Sequence, residues 1–239
     1  MTTWTRARYV GVDLANRVDF TAITVLDELE PEQTPKGRIG EPRYVISFME
    51  RHRGKPYAWM VDRMAALASR DFLAGQPWIV DCTGVGASVV EDLRTRMDWV
   101  HAVVLTGGEQ VVRAGPHESH VPKKDVVDAL RLLFWKDLCE VDGRIPEAVT
   151  LRSEIELFRY QIGETGRLST GASSGHDDLL LSACLAAWYA TREGSNGAAA
   201  WGALMREWAA PRAARPSLVT PREDARQAAY MGGRPAGMH

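Results

Sequence analysis

Several aspartates of this 239-residue chain stand where an ionised side chain is costly. Asp13 ends the apolar stretch RYVGVD, and Asp81 ends a second apolar stretch, WIVD. Asp177 and Asp178 are adjacent and open the otherwise apolar run DDLLLSACLAAW. An ionised carboxylate in apolar surroundings destabilises a fold unless it is paired or bound to a cation. We therefore expect these acids to share one chemical purpose.

Clustered carboxylates are hard oxygen ligands, which suit Mg²⁺ or Mn²⁺. They also repel one another, and this repulsion raises the pKa of at least one of them until a cation binds. Two such ions about 4 Å apart clamp the attacking and leaving oxygens of a phosphodiester during its hydrolysis. Taken singly, each aspartate could instead form a turn or cap a helix. Their combination, on these elements and in this order, favours a two-ion hydrolytic site.

Apolar periodicity predicts the elements that would bring these acids together. Strands are predicted over residues 8–15, 20–29, 43–51, 76–86 and 100–106. Helices are predicted over 56–73, 87–97, 121–141, 150–158 and about 176–192, with a loop over 107–120 and a hairpin over 159–171. An antiparallel meander followed by strand–helix alternation predicts a mixed sheet with helices on both faces. We expect a ribonuclease H-like α/β fold with five strands, three antiparallel and then parallel.

Basic side chains near the predicted site are candidates for DNA phosphate contacts. They lie before the long helix and in the connection ERHRGKPY, and are Lys123, Lys124, Arg51, Arg53 and Lys55. Solvated surface charge is the alternative for each of them. His176 directly precedes the aspartate pair, where it could transfer a proton or orient water. A capping or surface role for this histidine stays open.

The composition is that of an ordinary globular protein, 45% hydrophobic and 25% charged, with a net charge of −2. We divide the chain into a nuclease domain over 1–194 and a flexible tail over 195–239, which is rich in Ala, Gly, Pro and Arg. The three cysteines are widely spaced and form no C-x-x-C pair, which argues against a zinc site and for a reducing compartment. No signal peptide or apolar run of about 18 residues is evident, so we expect a soluble protein without membrane contact.

Five segments, taken in order, resemble the C-terminal nuclease domain of phage terminase large subunits, from about Tyr9 to Tyr189. VGVDLANRVDFTAITVLD is similar to the first motif, which implies Asp13 as a metal ligand and Asp19 as an auxiliary one. IVDCTGVGASVVEDL looks like the second motif and carries Asp81. The remaining matches are VPKKDVVDALRLLF, LRSEIELFRYQI and GHDDLLLSACLAAW, the last with the family's His-Asp-Asp motif. The family often has Asp-Pro-Thr-Ala where this chain has Asp-Phe-Thr-Ala.

The resemblance implies a Mg²⁺- or Mn²⁺-dependent endonuclease that cuts double-stranded DNA during phage genome packaging, in the cytoplasm of the bacterial host. It implies double-stranded DNA as a partner, together with a separate packaging ATPase, the small terminase subunit or the portal. A complete large subunit begins with an ATPase domain, whereas this chain has no G-x-x-x-x-G-K-[ST] phosphate loop. We expect a separately encoded nuclease subunit, a fragment or a prophage remnant.

Three other functions remain open on the sequence. Actin- and sugar-kinase-like ATPases also begin with a strand, an aspartate and a hairpin, but they need two such halves and glycine-rich phosphate loops. A Holliday-junction resolvase would use similar metal chemistry on a different DNA substrate. A non-catalytic packaging component would use the acids only as helix caps.

Overall fold

A computed structural model describes residues 5–14, 19–29, 41–84, 87–162, 168–172 and 176–193. The strands of its main sheet are β1 Thr5–Asp13, β2 Phe20–Leu29, β3 Arg43–Arg53, β4 Trp78–Asp81, β5 Val100–Thr106, β6 Val112–Gly115, β7 Glu118–Pro122 and β8 Cys139–Val141. Strands β9 Phe158–Ile162 and β10 Leu168–Ala172 form a separate hairpin. The helices are α1 Tyr57–Ala68, α2 Ala87–Arg96, α3 Lys123–Trp135, α4 Ala148–Leu157 and α5 Asp178–Glu193. The tail predicted over 195–239 lies outside the described residues.

The main sheet has the strand order β6-β7-β5-β4-β1-β2-β3-β8. β1, β2 and β3 form an antiparallel meander, while β4 and β5 add to β1 in parallel. The predicted mixed α/β fold class is therefore confirmed, and the five predicted strands lie together at the centre of the sheet. Within the described residues, three further strands, β6, β7 and β8, extend the sheet to eight.

The additional strands correct two sequence predictions. The segment 107–120, predicted as a loop, contains β6, which is short and largely exposed, and the start of β7, where the polar residues Glu118, Ser119 and His120 give no apolar pattern. The helix predicted to run to residue 141 ends at Trp135. Asp137 then adopts a left-handed backbone conformation with a φ of 55°, and the chain turns into β8. A helical pattern in the sequence does not show such a turn.

Helices cover both faces of the sheet, as predicted. On one face, α1 and α2 share an apolar core with Val10, Val12 and Val80. On the other face, α3, α4 and α5 share a core with Tyr9 and Ile79. Side chains alternate between the two faces along each strand. Gly11 and Asp13, two and four positions after Tyr9, therefore belong to the α5 face. Asp81, two positions after Ile79, belongs to the same face.

Helix α5 is the centre of its layer, and almost every one of its residues is buried. A helix that is apolar all round is one enclosed on all sides, here by the sheet and by α3 and α4. The Ser182 hydroxyl lies 2.7 Å from the Thr24 hydroxyl of β2, and Gly11 of β1 lies directly under the same turn of the helix. The close contact with β1 and β2 therefore sets the position of α5 on the sheet.

Among the described residues, no helix is both long and apolar enough to cross a membrane.

The buried side chain of His101, at the start of β5, predicts a measurable dependence of stability on pH. Its Nε2 atom lies 3.1 Å from the Ser119 hydroxyl, and its ring packs against Tyr189. Burial lowers the pKa of His101 from 6.5 to about 4. Between these values the unfolded chain binds the proton and the folded protein does not, so the folded state loses up to roughly 3 kcal/mol as the pH falls from 6.5 towards 4.

We expect His101→Gln, which keeps a polar group near Ser119 but cannot titrate, to remove this component. Urea unfolding at pH 7.5, 6, 5 and 4.5 measures it as the difference between the profiles of the two proteins. The free energy of unfolding of the wild type should fall more steeply on acidification. Parallel profiles would show that His101 does not resist protonation.

Candidate active site

Asp13 and Asp81 lie beside each other at the carboxyl ends of two neighbouring parallel strands. The register of β1 and β4 pairs Asp13 with Asp81. Both belong to the α5 face, since Tyr9 and Ile79, an even number of residues earlier, lie in the core beneath α5. Asp13 is half-buried and Asp81 is buried. The strand register alone therefore brings together two acids that are 68 positions apart in the chain.

The same row of paired positions continues across the sheet to a basic residue. Asp13 pairs with Ala22 of β2, and Ala22 pairs with Arg51 of β3. Four adjacent strands thus present Asp81, Asp13, Ala22 and Arg51 in line on one face. The first turn of α5 meets this row where Asp178 accepts a hydrogen bond from Arg51.

Helix α5 brings the remaining predicted acids to this row. Asp178 is its first residue and is buried, while Asp177 directly precedes the helix and accepts a hydrogen bond from the Leu181 N–H through its backbone carbonyl. The Arg51 Nη2 atom donates to Oδ2 of Asp178 at 2.7 Å. The Lys123 Nζ atom, at the start of α3, donates to Oδ2 of Asp177 at 3.2 Å. Two of the acids therefore have basic partners within the protein.

Asp13 is surrounded by the charges of the other three aspartates, and these affect its pKa. This pKa is raised well above its ordinary value, and burial is the largest cause. The charges of Asp81, Asp178 and Asp177, in that order, raise it further, whereas the ammonium group of Lys123 lowers it. Repulsion of this kind is relieved when a cation binds among the carboxylates.

Asp81 and Asp178 have raised pKa values for the same main reason, which is burial. Hydrogen bonds oppose the effect in both. The backbone N–H of Thr83 donates to Oδ1 of Asp81 at 2.8 Å, and Arg51 donates to Asp178. The Thr83 hydroxyl in turn accepts the Leu105 N–H at 2.8 Å, which ties the end of β4 to β5. The carboxylate of Asp81 is therefore held by backbone structure.

Glu154 of α4 is a buried acid next to this cluster that the sequence interpretation did not identify. Its Oε2 atom accepts the Leu180 N–H at 2.9 Å, and its Oε1 atom lies 3.5 Å from Nη2 of Arg51. Burial, more than the nearby aspartates, raises the pKa of Glu154 to about 7. Leu151 and Glu154 are the buried residues of α4 and lie one turn apart. A glutamate at this apolar spacing in LRSEIELF was the signal available in the sequence.

The two lysines predicted to contact DNA lie at the start of α3 but have different surroundings. Lys123 belongs to the acid cluster through its hydrogen bond to Asp177. Lys124 instead forms an ion pair with Asp128, one turn along its own helix, at 3.4 Å. Both side chains keep some exposure, so a phosphate can still reach their ammonium groups.

The basic residues from the end of β3 are divided between the cluster and the surface. Arg51, one of the residues predicted to contact DNA phosphate, lies inside the cluster, with its guanidinium 3.7 Å from the centre of the Phe20 ring. Arg53 and Lys55 are exposed beside it. The Arg53 guanidinium lies 5.3 Å from the centre of the Phe20 ring, and the Lys55 ammonium lies 4.8 Å from the centre of a Trp59 ring. These two side chains form a positive border next to the acids.

His176 and Asp19 lie at the exposed rim of the cluster. The Nδ1 atom of His176 is 3.7 Å from Oδ1 of Asp19 and 3.8 Å from Oδ2 of Asp178. Its ring packs edge-on against Phe20, with the ring centres 4.9 Å apart. The position is open to water and within reach of the acids, as a proton-transfer group requires.

Within the part of the chain that the structure describes, no three Asp, Glu, His or Cys side chains are arranged to hold a metal ion directly. Asp178 and Asp177 instead each have an oxygen bonded to a basic side chain. The donor chemistry nevertheless fits Mg²⁺ or Mn²⁺, because the cluster consists of carboxylate oxygens whose mutual repulsion a divalent ion would remove. A bound ion would have to take over part of the role that Arg51 and Lys123 have here.

The sheet has the topology of a ribonuclease H-like fold, which is an antiparallel meander with parallel strands added to β1. The acids lie at the carboxyl ends of β1 and β4. Solved structures with this fold that resemble the chain are nuclease domains of large terminases. The large terminase nuclease from thermophilic phage G20c is 22% identical with a TM-score of 0.55, covering 77% of this chain and 81% of that one. The nuclease domain of Thermus phage P74-26 is 22% identical with a TM-score of 0.54, covering 80% and 82%.

The G20c nuclease has also been solved with bound magnesium and with bound cobalt. The cobalt structure is 23% identical to this chain with a TM-score of 0.55, and covers 76% of this chain and 80% of that one. No protein-family model matches the chain, and no curated protein matches its sequence. These comparisons confirm the predicted fold and its likeness to terminase nuclease domains.

Proposed function

We propose that this protein is a divalent-metal-dependent endonuclease that cleaves double-stranded DNA during phage genome packaging, in the manner of a terminase large-subunit nuclease. The observation that carries the proposal is the pairing of Asp13 with Asp81 in the register of β1 and β4, with Asp177 and Asp178 brought to the same end of the sheet at the start of α5. The likeness to the G20c nuclease, which binds magnesium and cobalt, supports metal chemistry on this fold.

In this proposal, Asp13, Asp81 and the Asp177/Asp178 pair hold two Mg²⁺ or Mn²⁺ ions, with Asp19 as an auxiliary ligand. Two bound ions supply an activated water and stabilise the charge on the leaving 3′ oxygen of the phosphodiester. The chain contributes the positions of the carboxylates. The register of β1 and β4 sets the first two acids, and the packing of α5 on β1 sets the pair.

Basic side chains on two sides of the acids position the DNA in the same proposal. Arg53 and Lys55 contact backbone phosphates on one side of the acids, and Lys123 and Lys124 contact them at the start of α3. His176 at the rim orients water or accepts a proton from it. A packaging role further implies a packaging ATPase, the small terminase subunit or the portal as partners, in the cytoplasm of the bacterial host.

Metal removal tests the proposal directly. We expect supercoiled plasmid to be nicked and linearised in Mn²⁺ or Mg²⁺, to stay intact in excess chelator, and to be cut again when the ion is restored. The physical reason is that ionised carboxylates crowded together repel a phosphate unless cations are present.

A four-way DNA junction of the same sequence as a linear duplex serves as the comparison substrate. Similar cleavage of both agrees with the proposal, whereas a strong preference for the junction would indicate a resolvase. No cleavage with either ion, together with identical melting curves with and without metal, would indicate a non-catalytic component.

A further inference from the structure

We propose that Arg51 is an internal counter-ion of the acid cluster, which transfers from Asp178 to the buried carboxylate of Glu154 when a divalent ion binds. Glu154 is then a positioning residue that strengthens metal binding without touching the metal. The inference rests on the metal-dependent function proposed above. It concerns Arg51 and Glu154, which are not among the metal ligands of that proposal.

The first support is that one nitrogen atom of Arg51 lies between two carboxylates. Its Nη2 atom is 2.7 Å from Oδ2 of Asp178 and 3.5 Å from Oε1 of Glu154. The first contact is a charge-assisted hydrogen bond. The second is an ion pair whose atoms are slightly too far apart for a hydrogen bond. Movement of less than 1 Å towards Glu154 would exchange the two contacts.

The second support is a pair of buried atoms with unmet hydrogen-bonding capacity. Oε1 of Glu154 and Nε of Arg51 are both buried, and neither has a hydrogen-bond partner among the described residues. An unsatisfied buried polar group costs about 1–3 kcal/mol. Full pairing of the Arg51 guanidinium with Glu154 would satisfy an acceptor and a donor that are unsatisfied in the present arrangement.

The third support is that Glu154 is fixed while Arg51 has a surface to move over. Glu154 is only 4% exposed, and its other oxygen is held by the Leu180 N–H at 2.9 Å. The Arg51 guanidinium lies 3.7 Å from the centre of the Phe20 ring. A planar guanidinium keeps its favourable interaction with an aromatic face during a small lateral shift.

The transfer would make Asp178 available to a metal ion while keeping Arg51 paired. Without an acceptor at Glu154, Arg51 would stay bonded to Asp178, and its positive charge would compete with the ion. The proposal therefore predicts that the effect of Glu154 on metal affinity acts through Arg51. This distinguishes it from two other roles, a direct metal ligand and a support for the first turn of α5.

A double-mutant cycle tests the inference through Mn²⁺ affinity, measured by calorimetry or electron paramagnetic resonance at pH 8 without DNA. The proteins are the wild type, Glu154→Gln, Arg51→Met and the double variant. Glutamine keeps an oxygen for the Leu180 N–H but replaces the acceptor facing Arg51 with an amide group. We expect Glu154→Gln alone to weaken Mn²⁺ binding about tenfold. In the Arg51→Met background, the same change should have no effect.

The other outcomes are equally informative. If Glu154→Gln weakens Mn²⁺ binding to the same extent in both backgrounds, Glu154 acts directly or through α5, and the inference is overturned. No change in either background also overturns it, while the proposed function stands because the wild type still binds Mn²⁺. If the wild type does not bind Mn²⁺, both proposals fail. Melting curves in chelator check that all four proteins are folded.

Discussion

Replacing Asp81 with asparagine is expected to slow plasmid cleavage in Mn²⁺ about a thousandfold or more, which corresponds to roughly 4 kcal/mol of activation free energy. Asparagine has nearly the same shape and keeps an oxygen for the Thr83 N–H, which donates to Asp81 at 2.8 Å. It lacks the negative charge that attracts a divalent ion to the cluster, and metal-ion catalysis contributes several kcal/mol. The time course of nicking measures the effect.

The fold should survive this change, because the raised pKa of Asp81 shows that its buried charge is unfavourable in the metal-free protein. We expect the melting temperature in chelator to stay the same or to rise. Asp71→Asn is the matched control, since Asp71 is exposed on the turn between α1 and β4. It should cut at the wild-type rate. If Asp81→Asn also nicked plasmid at that rate, the assignment of the acids as catalytic would be wrong.

Replacing Gly11 with alanine is expected to lower the free energy of unfolding by about 3 kcal/mol or more, above the 1–3 kcal/mol typical of an overpacked core. An added Cβ atom would lie 1.9 Å from the Ser182 carbonyl oxygen and 2.8 Å from the Ala186 backbone nitrogen. Both are backbone atoms of α5, which cannot rotate away as a side chain can. The helix must therefore move off β1.

Thermal unfolding measures this change, and for a chain of this size we expect the melting temperature to fall by about 10 °C. Cleavage should fall as well, because α5 carries Asp178. Gly107→Ala is the control, since an added Cβ there meets no atom within 4 Å. A Gly11→Ala protein as stable as the wild type would show that α5 does not pack on β1 as described.

The central part of the fold was predictable because it consists of buried strands with continuous apolar sequence. The strands over 20–29 and 100–106 were predicted to the residue. The short strands β6, β7 and β8 were not. β8 follows a helix that ends at Trp135, and the left-handed turn at Asp137 depends on local backbone geometry rather than on an apolar pattern.

The convergence of the acids was predictable for a simple geometric reason, since the carboxyl ends of neighbouring parallel strands meet at one edge of a sheet. The basic partners of those acids were not predictable. Arg51 lies in a sequence rich in charge that reads as a surface connection, and only its register with Ala22 places it beneath α5. Glu154 reaches the cluster because α4 packs on α5; its spacing from Leu151 indicates that it is buried but not which element it faces.

The two edges of the main sheet are formed by short strands, β6 with 4 residues and β8 with 3. An exposed edge strand has unpaired backbone N–H and C=O groups, with which a strand of a second polypeptide can pair. Short or charged edge strands discourage this pairing. Arg113 of β6 forms an ion pair with Glu193, and β8 presents the exposed side chain of Glu140. At high protein concentration, the short edge strands β6 and β8 therefore offer few backbone groups for pairing with a second copy, which disfavours polymerisation through the sheet.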